Sequence, residues 1–296
     1  MGRILLSLTA FAVAGTAAAW LVLRPLPLPE DALAGLDADV ARGEQVFRAG
    51  GCAACHSAET AEGADRLVLR GGKRFSSPFG TFVAPNISND PVTGIGTWTA
   101  LDLANAMLRG VSPDGRHYYP VFPYASYARV TLQDIVDLRA FLATLPADPS
   151  PNAPHEVGFP YNIRLGLGLW KRLYLDDRWV VTGDLSEAET RGRYLVEALG
   201  HCGECHTPRG ALGAMDLSRW LAGAPVPAGK GRFPNLTPSK LTWSEADIVA
   251  FLTTGLTPDY DSVGGAMAEV VEGLSGLVPA DPAAIAAYLK RVAPAE

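Results

Sequence analysis

Gly51-Cys52-Ala-Ala-Cys55-His56 and His201-Cys202-Gly-Glu-Cys205-His206 decide the reading of this 296-residue chain, because together they hold all four of its cysteines. Two thiols three positions apart share one helical turn, and the histidine that follows directly projects beside them. Thiols so placed can add to the two vinyl groups of one porphyrin, while the imidazole meets the iron from the proximal side. A disulfide framework would need no histidine after each pair, and a chain this long does not depend on staples. Structural zinc sites use other spacings, and a thioredoxin-like motif wants a βαβ context that is absent here. The expectation is two covalently bound haem c groups, held by Cys52, Cys55, Cys202 and Cys205, with His56 and His206 as axial iron ligands.

Working outward, the flanks of the two motifs repeat each other. Arg42-Gly43 precedes Cys52 as Arg191-Gly192 precedes Cys202, with one residue of slack. Pro85-Asn86-Ile87 matches Pro234-Asn235-Leu236, and Trp98 stands before Gly110 at the interval that separates Trp243 from Gly255. Thr99 with Asp102, Thr131 with Asp134, Ser186 with Glu189 and Ser244 with Asp247 read as helix starts of the capping-box kind. Apolar residues then recur at three- and four-residue spacing, ending in amphipathic segments at 134–142 and 283–289. With no alternating strand evident, the expected fold is all-α, two tandem domains at 38–146 and 186–296. Each is small, and a haem would supply much of its core. Between them, 147–185 begins Pro-rich and turns aromatic through Phe159, Tyr161, Trp170 and Trp179. A free linker would not carry that apolar load, so this connector is expected to pack across both domains, the alternative being an N-terminal helix of the second.

The first residues, 1–26, read as a membrane anchor or signal segment. Ile4 to Leu23 carries no charge, and at a helical rise that run spans a bilayer core. Ala17-Ala18-Ala19 offers a cleavage site, but the apolar run continues past it through Leu23, which favours an uncleaved single-pass anchor over a soluble periplasmic product. Either way the body is exported. The formal charge of -6 and pI of about 5.4, with no long basic run, argue against nucleic-acid binding.

The sixth iron ligand is where the repeats part. Met267 lies in the Gly-rich stretch Val263-Gly-Gly-Ala-Met267, where small residues allow close approach to a haem edge, and it is the expected thioether ligand of the second iron. The same count from Gly110 reaches Phe122, which cannot bind iron. For the first iron, Met107 and His117 stand as alternative ligands beside an open site, so the two haems should differ electronically. Trp98 and Trp243, and Arg209 in His206-Thr-Pro-Arg209, are possible propionate contacts, with core packing or exposure as the plainer readings. His155 is expected to be solvated.

Both repeats resemble class I cytochrome c domains. From about residue 38 onward the chain is similar to the multi-haem cytochrome c subunits of membrane-bound bacterial alcohol and gluconate dehydrogenases. The likeness rests on Pro85-Asn-Ile-Ser-Asn-Asp-Pro-Val-Thr-Gly-Ile-Gly-Thr-Trp98, on Gly115-Arg-His-Tyr-Tyr-Pro-Val-Phe-Pro-Tyr124 and on Gly200-His-Cys-Gly-Glu-Cys-His-Thr-Pro-Arg209. It departs in carrying two haem motifs where relatives often have three, and in Phe122 at the place of a ligating methionine. The resemblance implies electron transfer from a periplasmic dehydrogenase to a cytochrome, quinone or oxidase. A peroxidase-like or other haem enzyme acting at an open first iron is the competing expectation.

Overall fold

The computed structural model describes residues 2–227 and 229–295, leaving Met1 and Glu296 at the ends of the expected segments outside it. Helix α1 (Gly2–Leu23) leads. Its apolar stretch Leu6–Leu23 is long enough to cross a bilayer by length and composition, and none of it is buried in the protein.

Each half that follows is built on one helix crossing. In the first, α2 (Val40–Ala49) crosses α6 (Leu132–Leu142); in the second, α8 (Glu187–Arg193) crosses α12 (Ala280–Arg291). The Arg-Gly pairs mark these crossings. A Cβ on Gly43 would lie 2.0 Å from the Asp137 carbonyl oxygen, and one on Gly192 would lie 1.9 Å from that of Ala284, so only glycine lets the backbones touch. The arginine beside each glycine pairs across the same crossing, Arg42 to Asp137 at 2.8 Å and Arg191 to Asp281 at 2.8 Å.

Short helices carry the two motifs, α3 (Cys52–His56) and α9 (Gly203–His206). The extra residue between Gly192 and Cys202 is absorbed by a wide helical turn over Tyr194–Leu199, in which the Gly200 N–H donates to the Leu195 carbonyl five residues back at 2.7 Å. Helices α4 (Ala100–Arg109) and α10 (Glu245–Thr254) start with full capping boxes at Thr99/Asp102 and Ser244/Asp247, and α8 does so at Ser186/Glu189. At α6 only half the box forms. Thr131 caps the Asp134 N–H, but the Asp134 carboxylate is taken by the Tyr194 hydroxyl from the other half. Helix α5 (Tyr124–Tyr127) and helix α11 (Ala266–Ser275) complete the two halves.

The fold departs from all-α. Strands β1 (Arg74–Ser77) and β2 (Gly80–Val83) form one antiparallel hairpin, and β3 (Ala224–Pro225) and β4 (Arg232–Phe233) form another. Runs of two to four residues are too short to display a period of two.

Segment 147–185 touches both halves. Glu156 pairs with Thr81 of β2 through two backbone hydrogen bonds, and the Lys171 ammonium on α7 (Leu167–Tyr174) donates to the Arg109 and Gly110 carbonyls at the end of α4. Toward the second half, Trp170 donates to the Leu212 carbonyl, and the Val180 and Val181 amides donate to the buried Glu197 carboxylate. One continuous apolar core runs from Phe47 and Leu138 through Leu195 and Leu199 to Tyr288.

Candidate functional site

The two Cys-x-x-Cys-His turns sit in matching cradles. In each, the histidine Nδ1 lies 2.8 Å from a proline carbonyl, that of Pro85 for His56 and that of Pro234 for His206. A carbonyl only accepts, so Nδ1 carries the proton and the Nε2 lone pair is left for a metal. The histidine's own carbonyl is held as well, accepting from Gly71 N–H in the first half and Gly223 N–H in the second, both at 2.7 Å. These glycines have φ of +72° and +77°, and a Cβ on Gly71 would strike the Ala84 and Pro85 carbonyls at 2.5 Å. Leu69 and Leu221 close each cradle by accepting from Ile87 and Leu236 N–H at 2.9 Å. Burial holds both imidazoles below their ordinary range, partly offset by the proline carbonyls, so the neutral ligand form prevails at pH 7.

All four cysteines are free of disulfides. Burial, reinforced by the neighbouring thiol, pushes Cys52 and Cys202 each up to about 12. Burial likewise raises Cys55 and brings Cys205 to about 11. No cluster of three or more His, Cys, Asp or Glu suited to a metal ion occurs among the described residues. Paired neutral thiols one turn apart, beside an imidazole with its Nε2 available, fit a thioether-bound porphyrin.

On the distal side the loops after α4 and α10 share one register. Both helices end at a left-handed glycine, Gly110 and Gly255. Tyr118 N–H returns to the Gly110 carbonyl and Val263 N–H to the Gly255 carbonyl, each at 2.7 Å. In that register Phe122 stands where Met267 stands. Met267 lies in the first turn of α11, partly buried against the core. Phe122 is packed edge-on to Tyr118 and Tyr127.

Met107 is buried in the first-half core, at the helix position that Leu252 fills in α10. His117 is buried, and its Nε2 donates to the Leu23 carbonyl at the end of α1 at 2.7 Å. Arg209 is spent within its own loop, on the Glu204 carboxylate and on the Gly213 and Glu204 carbonyls. Trp98 and Trp243 are half-buried against the core; their carbonyls accept from Arg139 and Lys290 respectively. His155, expected to be solvated, is half-buried: it accepts from Val83 N–H at 3.1 Å and packs against Phe82 and Tyr119.

The two motifs adjoin. Tyr127 stacks on His201 with centroids 5.4 Å apart and planes 21° from parallel, and its hydroxyl reaches the Gly50 carbonyl at 3.4 Å. Lys73 joins the Ala54 carbonyl of the first motif to Glu269 of α11 at 2.6 Å, and Arg66 pairs with Glu272 of the same helix at 3.1 Å. Neither the Gly71/Gly223 supports nor these bridges emerge from the motif reading. The repeated Leu-x-Gly of Leu69-Arg-Gly71 and Leu221-Ala-Gly223 was the available signal for the former; nothing local signals the latter.

Two thioether-competent turns with oriented imidazoles define the class as a c-type, haem-carrying protein. Residues 40–146 match the cytochrome c family model. Over 280 residues the chain is 56% identical to a diheme cytochrome c-type protein of Cereibacter sphaeroides, covering 95% of this chain and 94% of that one. It is 38% identical over 263 residues to the fructose dehydrogenase cytochrome subunit of Gluconobacter japonicus, covering 86% of this chain and 52% of that one. A further 38% identity, over 252 residues, relates it to the cytochrome c subunit of the quinone alcohol dehydrogenase of Gluconobacter oxydans, covering 79% of this chain and 51% of that one. The chain thus spans about half the length of those two dehydrogenase subunits. It belongs to the cytochrome c family, alongside the dihaem c-type cytochromes, and membership implies covalently bound haem c.

Proposed function

We propose that the chain is a membrane-tethered, periplasmic dihaem cytochrome c that takes electrons from a dehydrogenase and passes them to a respiratory-chain cytochrome, quinone or oxidase. The observation that carries this reading is the duplicated cradle, in which Pro85 and Pro234 orient His56 and His206 identically beside paired thiols. Cys52, Cys55, Cys202 and Cys205 are assigned as the thioether attachments, His56 and His206 as proximal ligands, and Met267 as the second iron's sixth ligand. Haem, when bound, supplies one-electron storage at each site. The protein orients the imidazoles and excludes water, and Tyr127 stacked on His201 gives an aromatic contact between the motifs.

Around the first iron the reading favours a distal side walled by Phe122, since His117 is tied to Leu23 and Met107 occupies a core-helix position. Trp98 and Trp243 remain the propionate contacts of the proposal, and Arg209 is reassigned to bracing its own loop. The halves at 38–146 and 186–296 are read as two cytochrome domains joined by the packed segment 147–185. The dehydrogenase partner is inferred from the two relatives that are dehydrogenase cytochrome subunits, and the bilayer anchor from α1.

A potentiometric titration followed in the visible haem absorbance tests the function. The expected result is two one-electron waves of unequal midpoint. A single haem, or one that does not cycle between oxidation states, overturns the reading.

A further inference from the structure

Helix α7 presents an apolar face that the described residues leave exposed. Leu169 is 49% exposed and Leu173 60%, one turn apart on the same face. Leu165, one turn earlier, is 46% exposed, and Phe159 just upstream is 80% exposed. The opposite face is firmly held. Gly168 is pressed on the last turn of α1, where an added Cβ would meet the Leu23 carbonyl oxygen at 2.2 Å, and Lys171 caps the end of α4. The leucine face therefore cannot turn inward without dismantling the α1 contact.

The place of α7 along α1 identifies what covers that face. Helix α1 has 22 residues, about 33 Å at ~1.5 Å per residue, against a hydrocarbon core of about 30 Å. Leu23, which α7 touches, thus stands at the edge of the hydrocarbon whenever α1 spans a bilayer. Arg24 is exposed beside Trp20 at that edge, its guanidinium 5.3 Å from the ring centroid, and the exposed Arg172 on α7 reaches the Leu21 carbonyl at 3.4 Å. An apolar helix face flanked by arginines and aromatic residues, at the level where a transmembrane helix emerges, is the pattern of a helix lying in the headgroup region.

We infer that α7 and the stretch before it from Phe159 form a second membrane contact, a short interfacial helix whose Leu165, Leu169 and Leu173 enter the bilayer surface and whose arginines meet lipid phosphates. The inference rests on α1 being a retained membrane anchor. With α1 alone in the bilayer, the haem domains would turn and tilt together with that single helix. With α7 also seated they hold a fixed attitude, and the first half is kept close to the bilayer.

The full-length holoprotein, reconstituted in vesicles of phosphatidylcholine and phosphatidylglycerol that contain a phospholipid with a diazirine in its acyl chain, tests this by photolabelling and peptide mass spectrometry. The expected result is label on 6–23 and also on 159–174. In Leu169→Glu/Leu173→Glu, label on 159–174 should fall about tenfold, as loss of two buried leucine contacts requires, with label on 6–23 and the haem absorbance unchanged. Label on 6–23 without label on 159–174 in the unmodified protein overturns the inference and leaves the anchor standing. Absence of label from both segments overturns both. Equal label on 159–174 in the double variant also counts against α7 being seated through its leucines.

Discussion

At Phe122 a ring occupies the register position where Met267 offers a thioether, although the loops leading to both are pinned by the same 2.7 Å hydrogen bond to a helix-terminal glycine. If Met267 is the second iron's ligand as proposed, the difference between the two irons is concentrated in one side chain. Phe122→Met should convert the first haem to His/Met ligation, raise its midpoint by on the order of 100 mV within the roughly 0.8 V that axial ligands span, and abolish carbon monoxide binding there; potentiometry and reduced-state CO spectra check it. Asp137 gives a pH prediction of known sign. Burial alone would raise its carboxyl, but the Arg42 guanidinium, the Asp39 N–H and Gln133 together hold it below the ordinary carboxylate range. A depressed carboxyl contributes stability that is present above the unfolded value near pH 4 and lost as pH falls through the folded one. Resistance to urea should accordingly fall below about pH 4, and Asp137→Asn should flatten that acid limb.

Among the elements, the helix crossings carry the sharpest demand. Gly192→Ala places a Cβ within 1.9 Å of a carbonyl oxygen, and overpacking of that kind should cost about 3 kcal/mol, read as a lowered urea midpoint. Much of this level was legible in the letters. The Arg-Gly pairs, the proline-asparagine pairs and the tryptophan-to-glycine interval were repeats before they were contacts, because each half must meet the same steric need. The capping boxes were legible too, except at Asp134, whose carboxylate goes to Tyr194, some 60 residues away in sequence. Long-range partners of that sort leave no local periodicity. The hairpins escaped for the opposite reason, being too brief to show one. His117 was legible as unusual but not as the residue that grips the end of α1, since nothing near it in sequence points to Leu23.

Across the whole molecule the halves are interlocked through the site itself. Helix α11, which carries Met267 in its first turn, is held to the first half by Lys73–Glu269 and Arg66–Glu272, and Gly273 lies against the Arg48 carbonyl so closely that a Cβ would approach it to 2.8 Å. On the proposed ligand assignment, the first half thus positions the distal ligand of the second iron. Lys73→Met should loosen Met267, seen as carbon monoxide binding at the second haem several times faster than in the unmodified protein. This coupling was invisible in the sequence because it joins residues nearly 200 positions apart. The central claim, two porphyrins bonded through four thiols, is tested most directly by the intact mass of the chain matured in a cytochrome c-producing bacterium. The mass should equal that of the polypeptide plus two haems, falling by one haem in Cys52→Ser/Cys55→Ser and by the other in Cys202→Ser/Cys205→Ser. A matured chain carrying one haem or none, or losing neither in those variants, contradicts it.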